Sequence, residues 1–175
     1  MDETGHSFRA DFGTTWAPTG QPPVLKRRSG RREVSSVVAL VAPLAGPPRL
    51  YARHFVGSIH SAEVITALRY FRRRIGRGLL VLWDHLPAHQ AMVVQDFVAA
   101  HPADYTLEWL PAYAPELNPE ELCNGAVKQE LLNALPDSVE ELQHLVRRSF
   151  IRLGRCPDQL AGFFRHAGLT VNGAT

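Results

Sequence analysis

Residues 79–83, Leu-Leu-Val-Leu-Trp, form an unbroken apolar run that ends at Asp84. A strand with one wet face alternates apolar and polar side chains, so an uninterrupted run predicts a strand buried on both faces. Such a strand needs helices on either side of its sheet, which restricts the chain to an α/β architecture. The flanks agree. Ser61 suits an N-cap, and Val64, Leu68, Phe71 and Ile75 recur on one helical face, leaving Arg69, Arg72 and Arg73 outside. Beyond the run, Pro87 suits the first position of a second helix, with Val93, Val94, Phe97 and Val98 as its inner face.

The other segments extend this pattern. Glu33–Ala42 is rich in β-branched residues, and the turn-forming Gly46-Pro47-Pro48 separates it from Leu50–Val56, which predicts an antiparallel pair. Met1–Phe12 predicts a short first strand and Tyr105–Leu110 a late one. Helices are expected over 119–133, 138–153 and 157–167. The order β-β-β-α-β-α-β-α-α describes a mixed sheet flanked by helices.

A chain of 175 residues suffices for one domain with a real core. No apolar stretch approaches the roughly 20 residues that span a bilayer, and the N-terminus lacks a signal-peptide layout. Two cysteines, Cys123 and Cys156, are too few for a disulfide framework, so a reducing, cytoplasmic compartment is expected. With 19 basic and 17 acidic residues, net charge does not identify a nucleic-acid binder. Its distribution says more: Lys26–Arg32 is a dense basic run, and Arg69, Arg72, Arg73, Arg74 and Arg77 form another.

Three places carry carboxylates of interest. Asp84 ends a strand, where functional groups gather in α/β sheets, but it could equally accept hydrogen bonds from the helix that follows. His85 and His89 are four apart, yet Pro87 between them breaks the helical geometry of a zinc face, and no cysteine cluster completes one. Asn118, Pro119 and Glu121 have the spacing of a capping box, and Glu121 could alternatively be held at the helix start facing a site. Glu120 points about 100° away around the helix. Asp2 and Glu3 read from position alone as a solvated terminus.

Four stretches in order, DETG, TTWAPTGQPPVL, LVLWDHLPAH and LPAYAPELNPEEL with Lys128 after it, resemble the catalytic domain of DDE transposases. The resemblance is to bacterial insertion-sequence transposases of the mariner-like superfamily, and its most specific part is Pro111, Tyr113, Pro115, Asn118, Pro119 and Glu121. It implies a ribonuclease-H-like fold, with a five-stranded mixed sheet whose first three strands are antiparallel. It also implies Asp2, Asp84 and Glu121 as catalytic residues and metal ligands. The implied chemistry is DNA cleavage and strand transfer with two magnesium or manganese ions, for which hard oxygen ligands are suited. Implied partners are the DNA of transposon ends and target, and a second copy or a full-length transposase, in a bacterial, nucleoid-associated setting.

Implied DNA contacts are His89, Lys128 and the basic run Arg27, Arg28, Arg31 and Arg32. Trp16 either packs under its loop or touches DNA. The family commonly has Asn where this chain has His85, and often Trp where it has Asn124. Only Met1 precedes Asp2, so the expectation is a single catalytic domain over 1–175, a fragment without the family's helix-turn-helix region. A competing expectation is an inactive remnant that binds DNA or pairs with an intact transposase as an inhibitor.

Overall fold

The strand Glu33–Val41 (β2) is the spine of the first sheet. On one side it pairs antiparallel with Asp2–Ser7 (β1), Asp2 opposite Val38; on the other it pairs antiparallel with Arg49–Val56 (β3), Val38 opposite Ala52. This computed structural model describes residues 1–8, 13–24, 33–112 and 114–171. Leu79–Trp83 (β4) and Tyr105–Trp109 (β5) form a second, parallel pair, with Leu79 opposite Tyr105 and Trp83 opposite Trp109. The helices are α1 (Ser61–Ile75), α2 (Pro87–Gln90), α3 (Met92–Ala99), α4 (Pro119–Glu130), α5 (Val139–Leu153) and α6 (Pro157–His166).

The five strands, expected in one mixed sheet, are therefore hydrogen-bonded as three plus two. The Met1 amino group donates to the Leu82 carbonyl at 2.7 Å, where β1 comes up against β4.

Alternation along β2 divides the core. Val34 and Val38 face α4, α5 and α6, packing with Cys123, Val127, Val146, Phe150 and Leu160. Val37 and Ala39 face α1 through Ala67 and Phe71. A third cluster lies between α1, α3 and the parallel pair: Val64, Leu68, Val81, Trp83, Val94 and Tyr105. Each of these large side chains contributes about 1.5–3 kcal/mol by leaving water.

Two expectations change. The run 79–83 is not buried on both faces: Val81 and Trp83 are buried, whereas Leu80 and Leu82 are 62% and 48% exposed. Helices α4 to α6 cover the three-stranded sheet and leave that face of β4 bare. The helix after Pro87 also breaks, because Ala91 is extended (φ −58°, ψ 133°). The Gln95 amide group donates to the freed His89 carbonyl at 3.0 Å, and Met92 and Val93 are left exposed.

Candidate active site at the ends of β1 and β4

Side-chain alternation in β1 sends Asp2, Thr4 and His6 toward α4 and α5, and Glu3 to the opposite face. Asp2 is buried. Its Oδ1 accepts the Glu3 amide at 2.7 Å, and its Oδ2 faces the Nδ2 donors of Asn118 and Asn124 at 3.2 and 3.4 Å. Burial raises its pKa to about 6; the Glu3 amide and the Met1 amino group oppose the shift, and the negative charges of Glu121 and Asp84 add to it. Asp84 and Glu121 thus both lie within electrostatic reach of Asp2.

Asp84 ends β4 with its side chain 40% exposed. Its Oδ1 accepts the Leu86 amide at 3.3 Å and sits 2.9 Å from His89 Nδ1. Both readings of this residue therefore have support: one oxygen serves the turn, and Oδ2 has no hydrogen bond among the described residues.

His89 is fully buried and lies flat on Trp83, with ring centres 4.3 Å apart and planes within 9°. Its Nε2 is 2.6 Å from Glu3 Oε1. Burial works against the charged ring, but the bond to Glu3 and the charges of Glu3 and Asp84 outweigh it, so the pKa is raised. His85 is elsewhere, exposed and stacked on Trp109 at 5.1 Å.

Glu121 does not close a capping box. The Asn118 amide, which it would have to reach, already donates to the Pro115 carbonyl at 3.0 Å within the 3₁₀ turn Pro115–Leu117. Asn118 caps α4 through the Glu120 amide at 3.1 Å. Glu121 is left exposed on the first turn, without a hydrogen bond or ion pair among the described residues. Its neighbour Glu120 is buried and accepts the Leu40 amide. Burial raises the Glu120 pKa to about 7, opposed by the Met1 amino group and the Leu40 amide.

Lys128 is exposed on α4, and its charge, after burial, helps hold His6 down at a pKa of about 4. Trp16 is fully exposed and packs under nothing. Arg27, Arg28, Arg31, Arg32 and Tyr113 lie outside the described residues.

The oxygen donors suit a hard cation, and Asp84 Oδ2 and the Glu121 carboxylate are uncommitted. Among the described residues, however, no three His, Cys, Asp or Glu side chains stand close enough together to hold a metal ion. Asp2, Asp84 and Glu121 are brought to one region but not into a finished coordination shell.

Sequence reading missed three neighbours. Glu3, dismissed as terminal, was recoverable from alternation, which aims it away from Asp2. Asn124, read as a departure from a family pattern, donates to Asp2. Asn118, read only as a cap, does both.

A model of the DDE superfamily endonuclease family matches residues 1–143. The chain belongs to this family. No curated protein matches it. Among solved structures it resembles the Mos1 transposase paired-end complex with left transposon end (18% identity, TM-score 0.61, 98% of this chain and 55% of that chain). It also resembles the Mos1 mariner paired-end complex with Mn (19%, 0.65, 95% and 50%) and the Mos1 strand transfer complex (19%, 0.60, 95% and 49%). At these identities the likeness is one of fold alone. The chain spans about half the length of the transposases it matches.

Proposed function

We propose that the chain is the catalytic domain of a DNA transposase, a metal-dependent endonuclease and strand transferase in which Asp2, Asp84 and Glu121 hold the metal. What supports the reading is membership of this family, together with the reach of the Glu121 and Asp84 charges to the buried Asp2 from the start of α4 and the end of β4. Their charges accumulate around the buried Asp2, where a cation would relieve the repulsion. The Mos1 complexes support the metal and the partner, since that transposase is seen with the left transposon end and with Mn or Mg.

Two divalent ions, when bound, would activate a water or 3′-hydroxyl and neutralise the leaving oxygen. The chain's own residues do the rest. Asn118 and Asn124 orient Asp2, and the Leu86 amide and His89 turn Asp84 so that Oδ2 faces outward. Lys128 and the basic run 26–32 offer charge to DNA phosphates.

The test is nicking of supercoiled DNA in magnesium or manganese. Wild type nicks only with metal, and Asp84→Asn and Glu121→Gln lose at least 100-fold. Cleavage by Asp84→Asn at the wild-type rate, or none by wild type in either metal, overturns the reading. Retention of DNA without cleavage would instead favour the inactive, DNA-binding remnant.

A further inference from the structure

Glu3 has no place in the three-carboxylate reading, yet it makes one of the shortest side-chain contacts of the site, 2.6 Å to His89 Nε2. The other ring nitrogen, Nδ1, sits 2.9 Å from Asp84 Oδ1 and 3.2 Å from the Asp84 carbonyl. A backbone carbonyl and an ionised carboxylate only accept hydrogen bonds, so Nδ1 donates to the Asp84 carbonyl and Nε2 to Glu3, while Asp84 Oδ1 lies within ion-pair distance of Nδ1. The ring cannot tilt away, because Trp83 covers its face at 4.3 Å and no part of it meets solvent. The result is a bridge from the face of β1 opposite Asp2 to the end of β4, across 81 residues of sequence.

We propose that Glu3 is a positioning residue that fixes Asp84 through His89. With Oδ1 of Asp84 drawn to His89 and the Leu86 amide, the side-chain torsion is set and Oδ2 presents outward. Without Glu3 the imidazole is anchored at one end only, and Asp84 can rotate with it. Residues that orient metal-binding groups from behind typically account for 10–100-fold in affinity. The inference rests on the reading of Asp84 as a metal ligand, but its first test does not.

In metal-free protein labelled with ¹⁵N, two slowly exchanging imidazole N–H signals are expected for His89. In Glu3→Ala the Nδ1–H, which faces Asp84 and not Glu3, exchanges at least tenfold faster. Unchanged exchange at Nδ1 would overturn the relay. In the second test, Mn²⁺ binding followed by calorimetry weakens 10–100-fold in Glu3→Ala. Glu3→Gln, whose Oε1 still accepts from Nε2, recovers part of it. Val64→Ala, which opens the same apolar cluster without touching the bridge, controls for lost stability and binds Mn²⁺ as wild type does. Equal binding by Glu3→Ala and wild type overturns the proposal. If Asp84→Asn binds Mn²⁺ as well as wild type, or wild type binds none, the metal reading fails, and exchange at Nδ1 still decides the relay.

Discussion

Asn118 Nδ2 donates to Asp2 Oδ2 at 3.2 Å while Asn118 Oδ1 accepts the Glu120 amide at 3.1 Å. One amide group therefore starts α4 and ties it to β1. Asn118→Ala loses both bonds and should lower unfolding free energy by about 1–2 kcal/mol for the cap, and further for the Asp2 oxygen left with Asn124 as its one donor. Asn118→Ser keeps the cap acceptor and lacks the second donor. Urea unfolding should rank wild type above Ser and Ser above Ala; equal values for Ser and wild type would show that the tie to Asp2 contributes nothing.

Glu120 is buried at the start of α4, and neutralising it should show in the pH dependence of stability. The folded pKa of Glu120 is raised from 4.5 to about 7, so its contribution to stability is full below about 4.5 and is lost as pH rises through 7. Glu120→Gln should therefore gain on wild type between pH 4.5 and 8, by at most about 3 kcal/mol at 1.36 kcal/mol per pKa unit. Parallel curves for Glu120→Gln and wild type would contradict the burial of that carboxyl.

His6 and His54 have the opposite sign. Burial first, then nearby cations, lowers both from 6.5 to about 4. Their stabilisation is present above pH 6.5 and is lost as pH falls through 4. His54 is bonded to Ser36 Oγ at 2.8 Å, and Phe150 packs against both rings. His6→Asn should be less acid-sensitive than wild type, the gap widening from pH 6.5 to 4 by up to about 3 kcal/mol. Thermal melts across that interval would reveal it.

Surface and core contacts should differ sharply in weight. The Arg72–Asp104 pair is close, 2.6 Å, but about a third exposed on each side. Arg72→Ala should cost under about 1 kcal/mol, and less in high salt. Trp83→Ala removes a fully buried indole and should cost about 3–5 kcal/mol. Comparable losses in the two variants would mean that the ion pair is worth more than its exposure implies.

Periodicity and punctuation carried most of the fold. Pro119 and Pro157 begin α4 and α6 as their fixed φ requires, and Ser138 caps α5 through the Glu141 amide at 3.1 Å. The break at Ala91 was not legible, because no glycine or proline marks it and the capping comes from a side chain, Gln95. Nor was the bare face of β4, since an apolar run gives a strand's composition and not which neighbours reach it. In the site, motif order singled out Asp2, Asp84 and Glu121. The bonds from Asn124 to Asp2 and from Glu3 to His89 span more than 80 residues and depend on how β1 is sandwiched, which spacing does not encode.

Leu80 and Leu82 stand bare on β4, and the register sets Thr106 and Glu108 of β5 opposite them. A water-facing strip with two leucines invites self-association, and a parallel pair has open edges on which it can begin. The single formal charge in that strip is Glu108. Its consequence is colloidal and not chemical: a carboxylate beside the two leucines breaks the continuity of the apolar strip.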